Sequence, residues 1–98
     1  MAVHSLDFDA TLAAAAGSDP ELSAELRSCF ADSLRYQVDL LGRARCDGNW
    51  EIAALRLRGL GASFNSSALI ELAEEALDSA PGDPVVLRKF VAFADSFV

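Results

Sequence analysis

Basic residues are scarce in this chain: eight Lys and Arg stand against fifteen Asp and Glu, a net charge of −7 over 98 residues. A surface of that sign repels phosphate backbones and anionic lipid, so nucleic acid and the membrane surface are not expected as partners, and a neutral or basic protein surface is favoured. Histidine occurs once, at His4, and cysteine twice, at Cys29 and Cys46. With no Cys-x-x-Cys and no His pair, zinc lacks its ligands, and no Gly-rich phosphate loop follows a strand, so no metal and no cofactor are expected. A Ser-His or Cys-His pair would have only His4 to use, near the start of the chain, so an enzymatic role is not expected either. No apolar run approaches the roughly 20 residues of a membrane span. The opening MAVHSLDFD has no basic residue ahead of an apolar run, which does not read as a signal peptide, and the expected location is cytoplasmic.

What is present is apolar content, 52% of the residues, in segments of helical period. No segment alternates with period two between hairpin turns, so strands are not expected. Residues 5–16 form a short helix with Ser5 as cap, Asp7 and Asp9 in the first turn, Leu6, Phe8 and Leu12 as anchors and Gly17 as the stop. It reads as a lid. Asp19-Pro20 opens a long second helix to about Arg45, with Leu22, Leu26, Cys29, Tyr36 and Leu40 beside Phe30, Leu34, Val38 and Leu41. Two adjoining stripes imply contact with two neighbours, as in a bundle. The row Glu25, Asp32, Arg35, Asp39 and Arg43 has the spacing for weak pairing on a solvated face. Cys29 falls on the apolar side, as core filler, and Cys46 at the helix end, roughly 25 Å away along the axis, so the two are free thiols.

Asp47-Gly48-Asn49 reads as a turn, and a third helix follows to about Asn65, a residue that readily takes the left-handed conformation, with Ser66 or Ser67 to cap what comes next. A fourth helix spans 68–80, with Leu69, Ile70, Leu72, Ala73, Ala76 and Leu77 inward and Glu71, Glu74, Glu75 and Asp78 on a solvated face. Pro81-Gly82 stops it, and Asp83-Pro84 opens a last helix carrying Val86, Leu87, Phe90, Val91, Phe93, Ala94 and Phe97 inward. With no repeat and no long linker, residues 1–98 read as one all-α domain, an antiparallel four-helix bundle with a short extra N-terminal helix.

The third helix is unusual in having two apolar rows. Trp50, Ala53, Ala54, Leu57, Leu60, Gly61 and Phe64 form the stripe a core needs. Ile52, Leu55, Gly59, Ala62 and Ser66 form a second row on the opposite side, framed by Glu51, Arg56 and Arg58 as an interface rim frames its centre. Gly59 and Gly61 each cost the helix roughly 1 kcal/mol relative to alanine, so something other than helix propensity retains them. The row is read as an interaction surface, the alternatives being burial of Leu55 under the N-terminal helix and a scattered apolar residue of the kind any surface carries.

The run from Ala54 to Asn65, continuing to Leu69 and Leu72-Ala73-Glu74, resembles the central motif of histidine phosphotransfer (HPt) domains: a phosphoacceptor His, two residues, a basic residue, a Gly, then a Phe-Gly pair and a Leu-rich helix. Here Arg58 is the basic residue, Gly59 the close-approach glycine, and Phe64 precedes Asn65 instead of Gly. Leu55 stands at the phosphoacceptor position, and leucine accepts no phosphoryl group. The resemblance therefore implies an HPt-like fold and docking surface without the chemistry: a non-catalytic pseudo-HPt protein of a bacterial two-component pathway. It would bind a response-regulator receiver domain or a histidine kinase through Ile52, Leu55, Arg58, Gly59 and Ala62. Two alternatives stand beside it: a structural homodimer through Ile52, Leu55, Gly59 and Ala62, and an active phosphotransfer protein that uses His4.

Overall fold

A computed structural model describes residues 6–97, with the side chain of Leu6 left out. The Ser5 cap, His4 and the Leu6 anchor therefore lie outside the described residues. Five helices follow one another, α1 (Leu6–Ala16), α2 (Pro20–Arg43), α3 (Asp47–Ser63), α4 (Ser67–Leu77) and α5 (Pro84–Asp95), and no strand occurs among the described residues. The protein is all-α. Each helix from α2 to α5 packs on the next, α5 returns to α2, and α1 lies against α2.

The boundaries have local causes. Asp19 Oδ1 accepts the N–H groups of Glu21 (3.0 Å) and Leu22 (3.4 Å), and Asp83 Oδ1 those of Val85 (2.9 Å) and Val86 (3.4 Å), with a proline opening each helix. At the end of α3 the N–H of Ser66 donates to Gly61 O (2.8 Å) and that of Asn65 to Ala62 O (3.4 Å), with Asn65 at φ 55°. That double bond is a Schellman closure, and the left-handed residue is the asparagine the sequence suggests. Gly17 (φ 59°) does the same for α1.

Two boundaries differ from expectation. The Asp47-Gly48-Asn49 stretch is not a turn but the first turn of α3: Cys46 is extended, and its carbonyl accepts the Trp50 N–H at 3.1 Å. The reversal is completed earlier, where α2 stops at Arg43 and Ala44 turns to extended geometry and is buried, leaving Asp47 and Gly48 free to enter the helix. The fourth helix ends at Leu77, three residues short, because the N–H of Asp78 is shared among the carbonyls of Glu74, Glu75 and Ala76.

The core joins one stripe from each helix. Leu34, Leu41, Ala54, Leu57, Leu69, Ala73, Ala76 and Phe90 are fully enclosed, and the Trp50 indole N–H donates to the Ala76 carbonyl at 2.7 Å, tying α3 to α4. At one end, phenylalanines from four helices or their caps meet: Phe30 lies 4.9 Å from Phe8, 4.9 Å from Phe64 and 5.1 Å from Phe97 between ring centroids. α1 seals this end through Phe8 and Leu12, with Arg27 stacked over Phe8 and paired with Asp9 at 3.1 Å.

Four inward assignments are corrected. Of the two α2 stripes, only Phe30, Leu34, Val38 and Leu41 are buried; Leu22 and Tyr36 are exposed, as is Cys29, which is therefore not core filler. α2 contacts α1, α3 and α5, yet the arc these neighbours cover reaches the second stripe only in part, half-burying Leu26 and Leu40 and leaving Leu22, Cys29 and Tyr36 outside it. Val91 on α5 is likewise exposed, at the edge of a groove between α2 and α5 that no helix fills. The acidic row of α4 is also not uniformly solvated: Glu75 is half-buried and pairs with Lys89 of α5 at 2.9 Å.

Candidate docking face on α3

The core stripe of α3 is where periodicity puts it: Trp50, Ala53, Ala54, Leu57 and Gly61 are buried, and Leu60 and Phe64 half-buried. The opposite side is left uncovered. Ile52 is 48% exposed and Leu55 40%, and Gly59 and Ala62 are exposed along the same row. Burial of Leu55 under α1 does not occur, since α1 packs on α2 and meets the α3 region beyond the helix end, where Phe8 lies 6.3 Å from Phe64 between ring centroids and Asn65 Nδ2 donates to Thr11 Oγ1 (2.8 Å).

Ser66 leaves the row. It is only 3% exposed, because it lies past the Schellman turn and its Oγ accepts the Leu69 N–H as the cap of α4. A wheel drawn through Ser66 continues a helix that has already ended at Ser63.

The two glycines of α3 separate by what surrounds them. A Cβ on Gly61 would sit 3.0 Å from Ile70 Cγ1, 3.1 Å from Ile70 N and 3.2 Å from Ser66 O, so Gly61 is needed for the close approach of the α3–α4 connection. A Cβ on Gly59 would meet nothing within 4 Å. Among the described residues nothing accounts for a helix-weakening residue there.

The rim is charged and unengaged. Among the described residues Glu51, Arg56 and Arg58 are exposed and take part in no ion pair or side-chain hydrogen bond, whereas Arg27, Arg35, Arg43 and Lys89 all have carboxylate partners. The sequence reading missed the flank. Leu40 of α2 lines an open groove with Arg43, Ala44, Asn49, Ile52 and Arg56, and Tyr36, one turn before it, is 62% exposed. The available signal was an α2 stripe wider than one core requires, with a hydroxyl-bearing residue at its outer edge.

No group of three or more His, Cys, Asp or Glu side chains is gathered as a metal site among the described residues, and none of their helices is long and apolar enough to cross a membrane. No protein-family model matches the chain, and neither a curated protein nor a solved structure is significantly similar to it.

Proposed function

We propose that this protein is a non-catalytic signalling adaptor, an HPt-like antiparallel four-helix bundle with α1 as an accessory helix, that docks a two-component partner on the outer face of α3 without carrying phosphate. The observation that carries this reading is the row Ile52, Leu55, Gly59 and Ala62, exposed on a helix whose other face packs into the core. Interaction surfaces differ from ordinary surface by such contiguous apolar rows with a charged rim.

The HPt resemblance supplies the partner class. Leu55 occupies the phosphoacceptor position and is open to solvent, Arg58 one turn on is unpaired, and Gly59 beside it offers no side chain to keep a partner's backbone away. A receiver domain would place the carboxylates of its own phosphorylation site within reach of Arg58, while Leu55 fills the space of the missing imidazole by apolar contact. Such binding would act by competition or scaffolding. The ring of contacts through α2, α3, α4 and α5 is compatible with this architecture. The partner is a response-regulator receiver domain or a histidine kinase.

The test is an NMR titration of labelled protein with receiver domains and kinase dimerisation domains of the same genome, each receiver with and without a phosphoryl mimic. Shifts centred on residues 52–62 are expected, and Leu55→Asp should remove them while leaving the rest of the spectrum in place. Binding that survives Leu55→Asp unchanged would sink the assignment of this face.

A further inference from the structure

We infer that the outer face of α3 also binds a second copy of the same chain, as an antiparallel two-fold pair of α3 helices. Glu51 and Arg58 are seven residues apart, which on a helix is about 20° of rotation and roughly 10 Å of rise. They therefore stand on the same edge of the apolar row, two turns apart, and neither is paired within the chain among the described residues. In an antiparallel pair related by a two-fold axis, the same edge of each helix faces itself. An axis midway between the two charges sets Glu51 against the partner's Arg58 and Arg58 against the partner's Glu51, so both charges of each chain are answered by one operation.

The same axis falls beside Leu55, which then meets its own copy, and it brings Ile52 alongside the partner's Gly59, where the open space at the glycine receives it. Small residues at Gly59, Ala62 and Ser63 let the two backbones approach. Arg56 stands on the other edge, turned toward Leu40 and Arg43 of α2 and away from the axis. A single helix row is smaller than the roughly 800 Å² per partner of a standard interface, so the dimer is a weak and reversible one. It uses the face proposed above for docking but does not rest on the identity of that partner, and it makes self-association and docking mutually exclusive.

The experiment is mass in solution, by sedimentation velocity, over a dilution series from about 1 μM to about 1 mM. The wild-type chain should pass from one-chain to two-chain mass within that range. Glu51→Arg alone and Arg58→Glu alone juxtapose like charges in their own dimers, and each should weaken self-association by about tenfold or more. An equimolar mixture of the two single variants should regain two-chain mass, as should the double variant, because both restore opposite charges across the axis. Circular dichroism confirms that the variants, all at exposed helical positions, remain folded. Wild-type protein that stays monomeric throughout, or single variants that dimerise as tightly as wild type, would overturn the inference. A monomer that nevertheless binds a receiver domain leaves the proposed function standing without the dimer; a charge-dependent dimer that engages neither receiver nor kinase does the reverse.

Discussion

At the scale of single residues, Gly59 and Gly61 are identical in sequence terms and opposite in role. Gly59→Ala adds a methyl group into open space and removes backbone freedom from the unfolded chain, so stability should rise by about 0.5–1 kcal/mol in urea denaturation. The same variant should weaken whatever binds the outer row, and a gain in stability with a loss of binding is the signature of a glycine kept for a partner. Gly61→Ala forces a Cβ to 3.1 Å from the Ile70 nitrogen and 3.2 Å from the Ser66 carbonyl oxygen, backbone atoms that cannot swing away, and should cost about 1–3 kcal/mol despite the better helix propensity. The cysteines make a further residue-scale expectation. Cys29 and Cys46 are both exposed, so both should react with a thiol reagent in the native protein without prior unfolding. A protected Cys29 would return it to the core.

At the scale of elements, the starts of α2, α4 and α5 each rest on one side chain, Asp19, Ser66 and Asp83. Asp19→Ala and Asp83→Ala each leave two N–H groups without their acceptor at the head of α2 and α5, and each should cost about 1 kcal/mol by thermal or urea unfolding. α1 depends more on packing than on its ends, because it lies along α2 and its buried anchors are Phe8, Leu12 and Ala16. Phe8 is in ring contact with Phe30, Phe64 and Phe97, so Phe8→Ala opens the sealed end and should cost about 3–5 kcal/mol. Hydrogen exchange of the α1 amides, measured in that variant, should rise first, while α3 and α4 stay protected. α1 is a plug on the end of the molecule and not a cover over Leu55.

At the scale of the whole molecule, stability comes from the joined apolar stripes and little from charge. In the ion pairs Arg27–Asp9, Arg35–Asp32, Arg43–Asp39 and Lys89–Glu75 every side chain keeps 39% or more of its surface open to solvent, so each pair is worth at most about 1 kcal/mol. With a net charge of −7, screening of self-repulsion offsets their loss, and the melting temperature should change by only a few degrees between low salt and about 1 M salt. The helix count, both Asp-Pro starts, the left-handed Asn65 and the core stripe of α3 were all legible in the sequence, because capping, proline placement and 3.6-residue periodicity are local properties written in neighbouring residues. So was the second row of α3, through Ile52, Leu55, Gly59 and Ala62. Which apolar residues stay uncovered was not legible, since that depends on where the other helices lie: Tyr36, Cys29 and Val91 sit on stripes wide enough to pack, yet the neighbours of α2 and α5 do not reach them. Ser66 divides the two: its capping of α4 was legible as a local property, whereas its place in the outer row was not, for a wheel cannot know that the chain has already turned. Local rules determine where a helix begins, ends and turns its apolar side; only the packing of one helix on another decides which part of that side meets water and remains available to a partner.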